Sequence, residues 1–245
     1  MRLGRFPQGG REVYGALEGD GVRVLRGPEE KIPLEGLTYL PPVEPTKIVC
    51  LGLNYADHAR ELGMEPPEEP ILFLKPPTAL VGHGGSIVYP KATRRLEYEA
   101  ELALVMGVRC KDVKEEKAME MVLGYTIMND VTARDLQKRD VQWTRAKSFD
   151  TFAPLGPYIV TRDEVQDPHA LGIELRLNGR RMQSSNTRNF VFSIPYIVHF
   201  VSEVMTLNPG DVISTGTPPG VGPMVPGDEV EIEVQGIGTL RNHVV

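Results

Sequence analysis

Residues 94–105 read Arg-Arg-Leu-Glu-Tyr-Glu-Ala-Glu-Leu-Ala-Leu-Val, and this is the most informative stretch of the sequence. Alternate side chains of a β-strand point to the same face, so Glu97, Glu99 and Glu101 are predicted to share one face. Residues 102–105 are apolar at every position, which is typical of a strand buried on both faces. We therefore predict one interior strand over residues 97–108.

Two interpretations of the three glutamates stay open. The first is a solvated strand face with Arg94 and Arg95 nearby, because acidic side chains usually lie at the surface. The second is a buried metal site, because carboxylates inside a protein need a cation. Oxygen ligands favour Mg²⁺, Mn²⁺ or Ca²⁺ over Zn²⁺. Asp130, after the apolar residues 125–128, is a candidate third ligand, although an Asn-Asp pair also favours a turn.

A second candidate group lies on a predicted helix that begins at Asn54 as its cap and runs to about Leu62, before Gly63. His58 and Glu61 are three residues apart on this helix and therefore share a face. A carboxylate bonded to one imidazole nitrogen fixes the tautomer, so that the other nitrogen can act as a base. The alternative interpretation is an ordinary surface pair.

The other segments predict an α+β protein that is mostly β. The 25 glycines and 21 prolines indicate many turns. Residues 173–177 alternate in polarity before Asn178-Gly179, a strong hairpin signal. Helices are predicted from Asp112 to about Val122 and from Ser193 to about residue 204. Residues 1–43 are predicted to form a small β-rich N-terminal domain, and residues 44–245 the main domain.

Composition excludes several classes of protein. The chain has 245 residues, with 27 Lys and Arg against 33 Asp and Glu, so its formal charge is −6. This acidic balance argues against nucleic-acid binding through phosphate contacts. No apolar run reaches the roughly 20 residues that span a bilayer. The N-terminus lacks the apolar stretch of a signal peptide, and two cysteines are too few for a disulfide scaffold, so we expect a cytoplasmic protein.

Six segments, taken in order, resemble the fumarylacetoacetate hydrolase family. They are residues 52–61, 98–102, 129–137, 146–150, 193–196 and, in the glycine-rich loop, 215–222. The resemblance implies a mixed β-sheet roll with few helices, usually a homodimer.

The resemblance also implies a role for individual residues. The metal ligands would be Glu99, Glu101 and Asp130, and the ion Mg²⁺ or Mn²⁺; no ligand role is carried over to Glu97. The catalytic residues would be His58, Glu61 and Lys147. The residues in contact with the substrate would be Arg134, Gln137 and Thr217.

The implied activity is that of a metal-dependent enzyme acting on 2-oxo or 2-hydroxy-enoic dicarboxylic acids through a metal-stabilised enolate. The preferred interpretation is a 2-hydroxyhepta-2,4-diene-1,7-dioate isomerase and decarboxylase of aromatic-compound catabolism. An acylpyruvate hydrolase or an oxaloacetate decarboxylase is the alternative. A non-catalytic metal-binding or small-molecule-binding protein is the alternative of another class.

Overall fold

A computed structural model describes residues 1–25 and 31–245, and strands are the main element of this part of the chain. The α-helices are α1 (Ala56–Leu62), α2 (Glu115–Ala118), α3 (Arg134–Arg139), α4 (Thr144–Lys147) and α5 (Ile194–Val204). The strands are β1 (Arg2–Gln8), β2 (Arg11–Glu18), β3 (Gly21–Val24), β4 (Lys31–Pro33), β5 (Ile48–Gly52), β6 (Ile71–Lys75), β7 (Leu80–Val81), β8 (Ser86–Ile87), β9 (Leu96–Tyr98), β10 (Ala100–Met106), β11 (Val122–Asn129), β12 (Thr132–Ala133), β13 (Ala153–Thr161), β14 (Gly172–Leu177), β15 (Arg180–Asn186), β16 (Val212–Ser214), β17 (Gly222–Met224), β18 (Glu229–Val234) and β19 (Gly238–Val244). The predicted mostly-β class with few helices is confirmed.

The described strands form three sheets, of which the two larger are mixed and the smallest is antiparallel. The largest has eleven strands in the order β4-β3-β2-β1-β13-β11-β10-β16-β5-β6, with β7 beside β13. A five-stranded sheet has the order β15-β14-β18-β19-β8, and a three-stranded sheet has the order β12-β9-β17. Most neighbours are antiparallel, but β16 runs parallel to β5. None of the helices in the described ranges is long and apolar enough to cross a membrane.

Strand β10 lies in the middle of the large sheet and is buried on both faces. Leu102 and Leu104 pack into the main hydrophobic core, whereas Ala103 and Val105 pack into a second core on the opposite face. Every residue of β10 is buried. The apolar run 102–105 thus belongs to an interior strand, as the sequence predicted.

The predicted single strand 97–108 is wrong, because the chain changes sheets at Glu99. β9 pairs with β12 and β17, whereas β10 pairs with β11 and β16. The backbone N–H of Glu99 donates to the Asn129 side chain (2.9 Å), and its carbonyl accepts from the Asp130 N–H (2.9 Å). These contacts tie the junction between the two strands to the end of β11.

Two predicted helix starts are also corrected. The Asn54 side chain does not cap α1, which begins at Ala56; it donates to the Thr215 carbonyl and accepts from the Phe192 N–H. Asp112 has a positive φ of 53° and does not cap a helix. In place of the predicted helix 112–122, the structure has α2 followed by a turn of 3-10 helix at Met119–Met121. In the first case, a buried polar side chain finds distant partners that a local pattern does not reveal.

Other local predictions are confirmed. Asn178 and Gly179, both with positive φ, form the turn between β14 and β15. Ser193 caps α5 by accepting from the Tyr196 N–H. Gly63 ends α1 in the left-handed conformation. Each of these signals depends on neighbours in sequence alone, so tertiary contacts do not override it.

The predicted N-terminal segment is β-rich in its described part, and residues 26–30 lie outside the described residues. Its strands β1 to β4 continue the large sheet, because β1 pairs with β13. Phe6, Val22 and Ile32 form a separate small core there. The boundary between residues 43 and 44 stays a prediction.

The buried side chain of Asp211 joins the start of β5 to the start of β16. It accepts from the N–H and hydroxyl of Thr46 (2.9 and 2.7 Å), from the Lys47 ammonium (2.5 Å) and from the Asn208 N–H (2.8 Å). Burial would raise the pKa of Asp211, but these hydrogen bonds hold it below its ordinary value. The parallel pair β16–β5 of the large sheet therefore depends on one ionised carboxylate.

We expect Asp211→Ala to lower the free energy of unfolding by about 3 kcal/mol, because several buried donors would lose their acceptor. Asp228 is the matched control: it occupies the same position in a second Pro-Gly-Asp turn but is only half-buried. Asp228→Ala should cost about 1 kcal/mol. Urea unfolding of both variants measures the difference, and equal losses would contradict this role of Asp211.

Candidate active site

Three buried carboxylates meet where β9, β10 and β11 converge. Glu99 lies between β9 and β10, Glu101 lies on β10, and Asp130 directly follows β11. Antiparallel pairing of Ala100 with Asn129 brings these chain segments together. One oxygen from each carboxylate can be chosen so that all three lie within 4.8 Å of one another. The predicted ligand trio is thus assembled in one place.

Two buried lysines neutralise part of this acidic cluster. The Lys147 ammonium donates to Glu99 (2.9 Å) and to Asp130 (2.7 Å). The Lys75 ammonium donates to the other oxygen of Asp130 and to the Val131 carbonyl (3.0 Å). Burial would lower the pKa of Lys147, but Asp130 and Glu99 raise it above its ordinary value, so the ammonium stays charged.

Arg134, the first residue of α3, binds two of the glutamates. Its Nε donates to Glu97 (2.5 Å), one terminal nitrogen donates to Glu99 and the other to the Gln137 side-chain oxygen. Burial would raise the pKa of Glu99, but Lys147 and Arg134 together lower it to about 2. Arg134 is thus fully engaged in holding this edge of the site, and its contact with a substrate stays a prediction.

Glu101 differs from its neighbours because no basic side chain of the described residues pairs with it. It accepts hydrogen bonds from the Ser214 hydroxyl and the Gly216 N–H (3.0 Å). Burial raises the pKa of Glu101 well above its ordinary value, and the charges of Asp130 and Glu99 raise it further. A divalent cation between the three carboxylates would supply the missing charge, and an all-oxygen donor set suits Mg²⁺ or Mn²⁺. The residues present therefore fit such an ion.

The predicted histidine and glutamate on α1 form a hydrogen-bonded pair. His58 Nδ1 lies 2.8 Å from one carboxylate oxygen of Glu61, and the other oxygen accepts from the Gly220 N–H at 3.0 Å. Glu61 thereby links the helix to the glycine-rich loop. If His58 carries its proton on Nδ1, then Nε2 is left as the basic nitrogen.

A cavity of about 350 Å³ contains the acidic cluster and the face of α1. Leu51, Phe73 and Trp143 form part of its apolar wall. Glu61 and Asp130 do not line it themselves, but they bond to the lining residues His58 and Lys147, respectively. The predicted site residues that line the cavity themselves are His58, Glu99, Glu101, Arg134, Gln137, Lys147 and Thr217.

The glycine-rich loop is held against the cavity by side chains that the sequence did not single out. The Gln183 amide donates to the Thr217 hydroxyl (2.9 Å) and to the Pro218 carbonyl (2.7 Å). Gly216 has a φ of +90°, and a Cβ at this position would lie 3.0 Å from the Cβ of Asn54. Glycine is therefore required for the approach that brings its N–H to Glu101.

Lys75 is the most important residue that sequence reasoning missed. It ends β6 before two prolines, which reads as a strand end and carries no chemical signal. Gln183 and Asn54 were missed as site-supporting residues for the same reason. Their partners are 34 and 161 residues away, respectively, so only an alignment or a structure could reveal the pairing.

We expect Lys75→Met to lower the free energy of unfolding by about 3 kcal/mol, because it leaves part of a buried carboxylate uncompensated. Lys31→Met is the control, since Lys31 pairs with Asp20 at the exposed surface and such pairs contribute little. Thermal and urea unfolding compare the variants. Unchanged stability of Lys75→Met would mean that Lys147 alone satisfies Asp130.

Sequence comparison matches two family profiles. Residues 47–245 match "Fumarylacetoacetate (FAA) hydrolase C-terminal", and residues 1–46 match "Rv2993c-like, N-terminal". The mitochondrial oxaloacetate tautomerase FAHD2B of Bos taurus is 47% identical over 224 residues, which cover 87% of this chain and 71% of that protein.

Solved structures agree with the sequence match. The 2-hydroxyhepta-2,4-diene-1,7-dioate isomerase of Mycobacterium marinum is 42% identical with a TM-score of 0.92, covering 100% of this chain and 98% of that one. The maleylpyruvate hydrolase of Sphingobium sp. SYK-6, solved with manganese(II) and pyruvate, is 32% identical with a TM-score of 0.85, covering 100% and 99%. Members of this family are enzymes, and the chain belongs to the fumarylacetoacetate hydrolase family.

Proposed function

We propose that this protein is an enzyme, dependent on Mg²⁺ or Mn²⁺, that shifts a proton in 2-oxo or 2-hydroxy-enoic dicarboxylic acids. The observation that carries the proposal is the position of Glu99, Glu101 and Asp130, clustered within 4.8 Å beside the cavity that His58 lines. Two relatives support the reaction class: one is named an isomerase of a hydroxydienedioate and another a tautomerase of oxaloacetate.

Glu99, Glu101 and Asp130 would hold the ion. Bound there, the ion would supply positive charge that stabilises negative charge developing on the oxygen of a 2-oxo acid. Lys147 adds a permanent positive charge on the same side of the cavity, close to where the keto oxygen becomes negative.

His58 is the proposed base. Glu61 fixes its tautomer through the 2.8 Å hydrogen bond to Nδ1, so that Nε2 can take a proton from the carbon beside the keto group. Returning that proton to a different carbon gives an isomerase, and returning it to oxygen gives a tautomerase. The apolar wall formed by Leu51, Phe73 and Trp143 limits the access of water to the intermediate.

Hydrolysis of acylpyruvates is the second candidate. The His58–Glu61 pair could activate a water molecule instead of moving a substrate proton, and one similar structure is a maleylpyruvate hydrolase. Oxaloacetate decarboxylation would use the same set of side chains. Hydrolysis requires that water enters the cavity beside His58, whereas the proton shift does not.

We also propose that the protein works as a homodimer. β6 forms one edge of the large sheet and exposes Ile71 and Leu74, which are 41% and 46% accessible. Exposed apolar side chains on an open edge strand favour association with another chain.

We expect Glu101→Gln to abolish binding of Mn²⁺ measured by calorimetry while the circular dichroism spectrum and unfolding transition are retained. The reason is that Glu101 is the carboxylate of the trio that forms no salt bridge with a basic side chain of the described residues. Glu97→Gln is the matched control, because Glu97 is also buried and lies two residues before Glu99, but it binds Arg95 and Arg134 instead. Unchanged Mn²⁺ affinity in Glu101→Gln would remove the metal site.

We expect His58→Ala to keep its Mn²⁺ affinity but to lose at least about 100-fold in turnover, which is the usual contribution of a general base. His243→Ala is the control, because His243 bonds to Ser86 away from the cavity. The assay uses oxaloacetate, acetylpyruvate and the hydroxydienedioate with Mg²⁺ and Mn²⁺, and it follows tautomerisation, isomerisation, release of CO₂ and C–C cleavage separately. Turnover in His58→Ala equal to that of the unsubstituted enzyme would exclude His58 as the base. If the unsubstituted protein turned over none of these substrates, the binding-protein alternative would be favoured.

A further inference from the structure

The basic side chains that line the cavity differ in whether they are already paired. Arg134 donates to two glutamates and to Gln137, and Lys147 donates to Glu99 and Asp130. Lys138 also lines the cavity, and within residues 1–25 and 31–245 no carboxylate lies within salt-bridge distance of it. Lys138 is thus a lining cation with its charge available to a ligand.

Helix α3 sets the distance of Lys138 from the acidic cluster. Residues 134 and 138 are four apart, so their side chains lie on the same face of the helix. The rise of an α-helix places them about 6 Å apart along its axis. Lys138 therefore lies one helical turn from Arg134, the residue of α3 that is bound to Glu99.

A basic residue at the C-terminal end of a helix also has an ordinary explanation, since it interacts favourably with the helix dipole. Arg139 is in the same last turn and can serve that purpose. Arg139 does not line the cavity, however, whereas Lys138 does. The position of Lys138 therefore needs a further explanation.

The rest of the cavity suits a carbon chain between two charged ends. Leu51, Phe73 and Trp143 offer apolar surface, and Trp143 packs edge-on against Phe73 at a ring-centroid distance of 5.4 Å. An apolar chain can lie against these rings, while charged groups at its ends need polar partners.

We propose that Lys138 is a specificity residue that binds the distal carboxylate of the substrate and so makes the enzyme prefer dicarboxylic over monocarboxylic 2-oxo acids. This inference rests on the proposed function, because the 2-oxo end of the substrate is assigned to the metal site. It adds that the second carboxylate is recognised by a side chain of α3.

The test compares 2-oxopentanedioate with 2-oxopentanoate, which have the same chain length and differ in the distal carboxylate. Binding is measured by calorimetry with Mn²⁺ present, and enolisation is measured by NMR as exchange of the C3 protons in D₂O. We expect the enzyme to prefer the diacid, and Lys138→Met to reduce the ratio of diacid to monoacid affinity roughly tenfold, as loss of one charge-assisted contact would. Lys138→Arg should restore most of the ratio.

Arg139→Met is the matched control, because it removes a neighbouring charge from the same helix outside the cavity, and it should leave the ratio unchanged. An unchanged ratio in Lys138→Met, or the same fall in Arg139→Met, would overturn the role of Lys138 while leaving the proposed function intact. If the unsubstituted enzyme neither binds nor exchanges either acid, the proposed function fails, and the specificity role fails with it.

Discussion

Burial of four carboxylates at one junction of the chain is the constraint on which the rest of the site depends. Glu97, Glu99, Glu101 and Asp130 are each at most 6% exposed. Carboxylates at such a depth are costly unless cations and hydrogen-bond donors surround them. Arg134, Lys147 and Lys75 come from three separate segments to meet this need, so the positions of α3, α4 and the end of β6 are tied to the acidic cluster.

The basic side chains do not compensate the buried carboxylates equally, and this difference is what favours a bound cation. Glu99 and Asp130 have basic partners, whereas the partners of Glu101 among residues 1–25 and 31–245 are the Ser214 hydroxyl and the Gly216 N–H. A site with every charge paired would be a structural ion-pair network. Leaving one buried carboxylate without a protein cation, beside a cavity, instead favours an exogenous cation.

The large sheet explains how the site can be held so firmly. β10 is packed on both faces and carries Glu101 at one end. Its neighbour β11 delivers Asp130, and its other neighbour β16 leads into the glycine-rich loop. Glu101 and Asp130 therefore lie at the ends of adjacent strands, whereas His58 lines the same cavity from a short helix that Glu61 joins to the loop through Gly220. Rigid support of this kind is what precise positioning of reacting groups requires.

Features that depend on local pattern could be predicted from the sequence: the interior strand 102–105, the Asn178-Gly179 hairpin and the Ser193 cap. The order of six short segments also indicated the family. The resemblance also predicted nine site residues, seven of which line one cavity. Three features became visible only in the folded chain: the change of sheet at Glu99, the hydrogen bonds of Asn54 to distant backbone groups and the pairing of Lys75 with Asp130. The physical reason is that local signals require only neighbouring residues, whereas the partner of a buried charge is chosen by the folded chain from segments that can be 55 residues away, as Lys75 and Asp130 are.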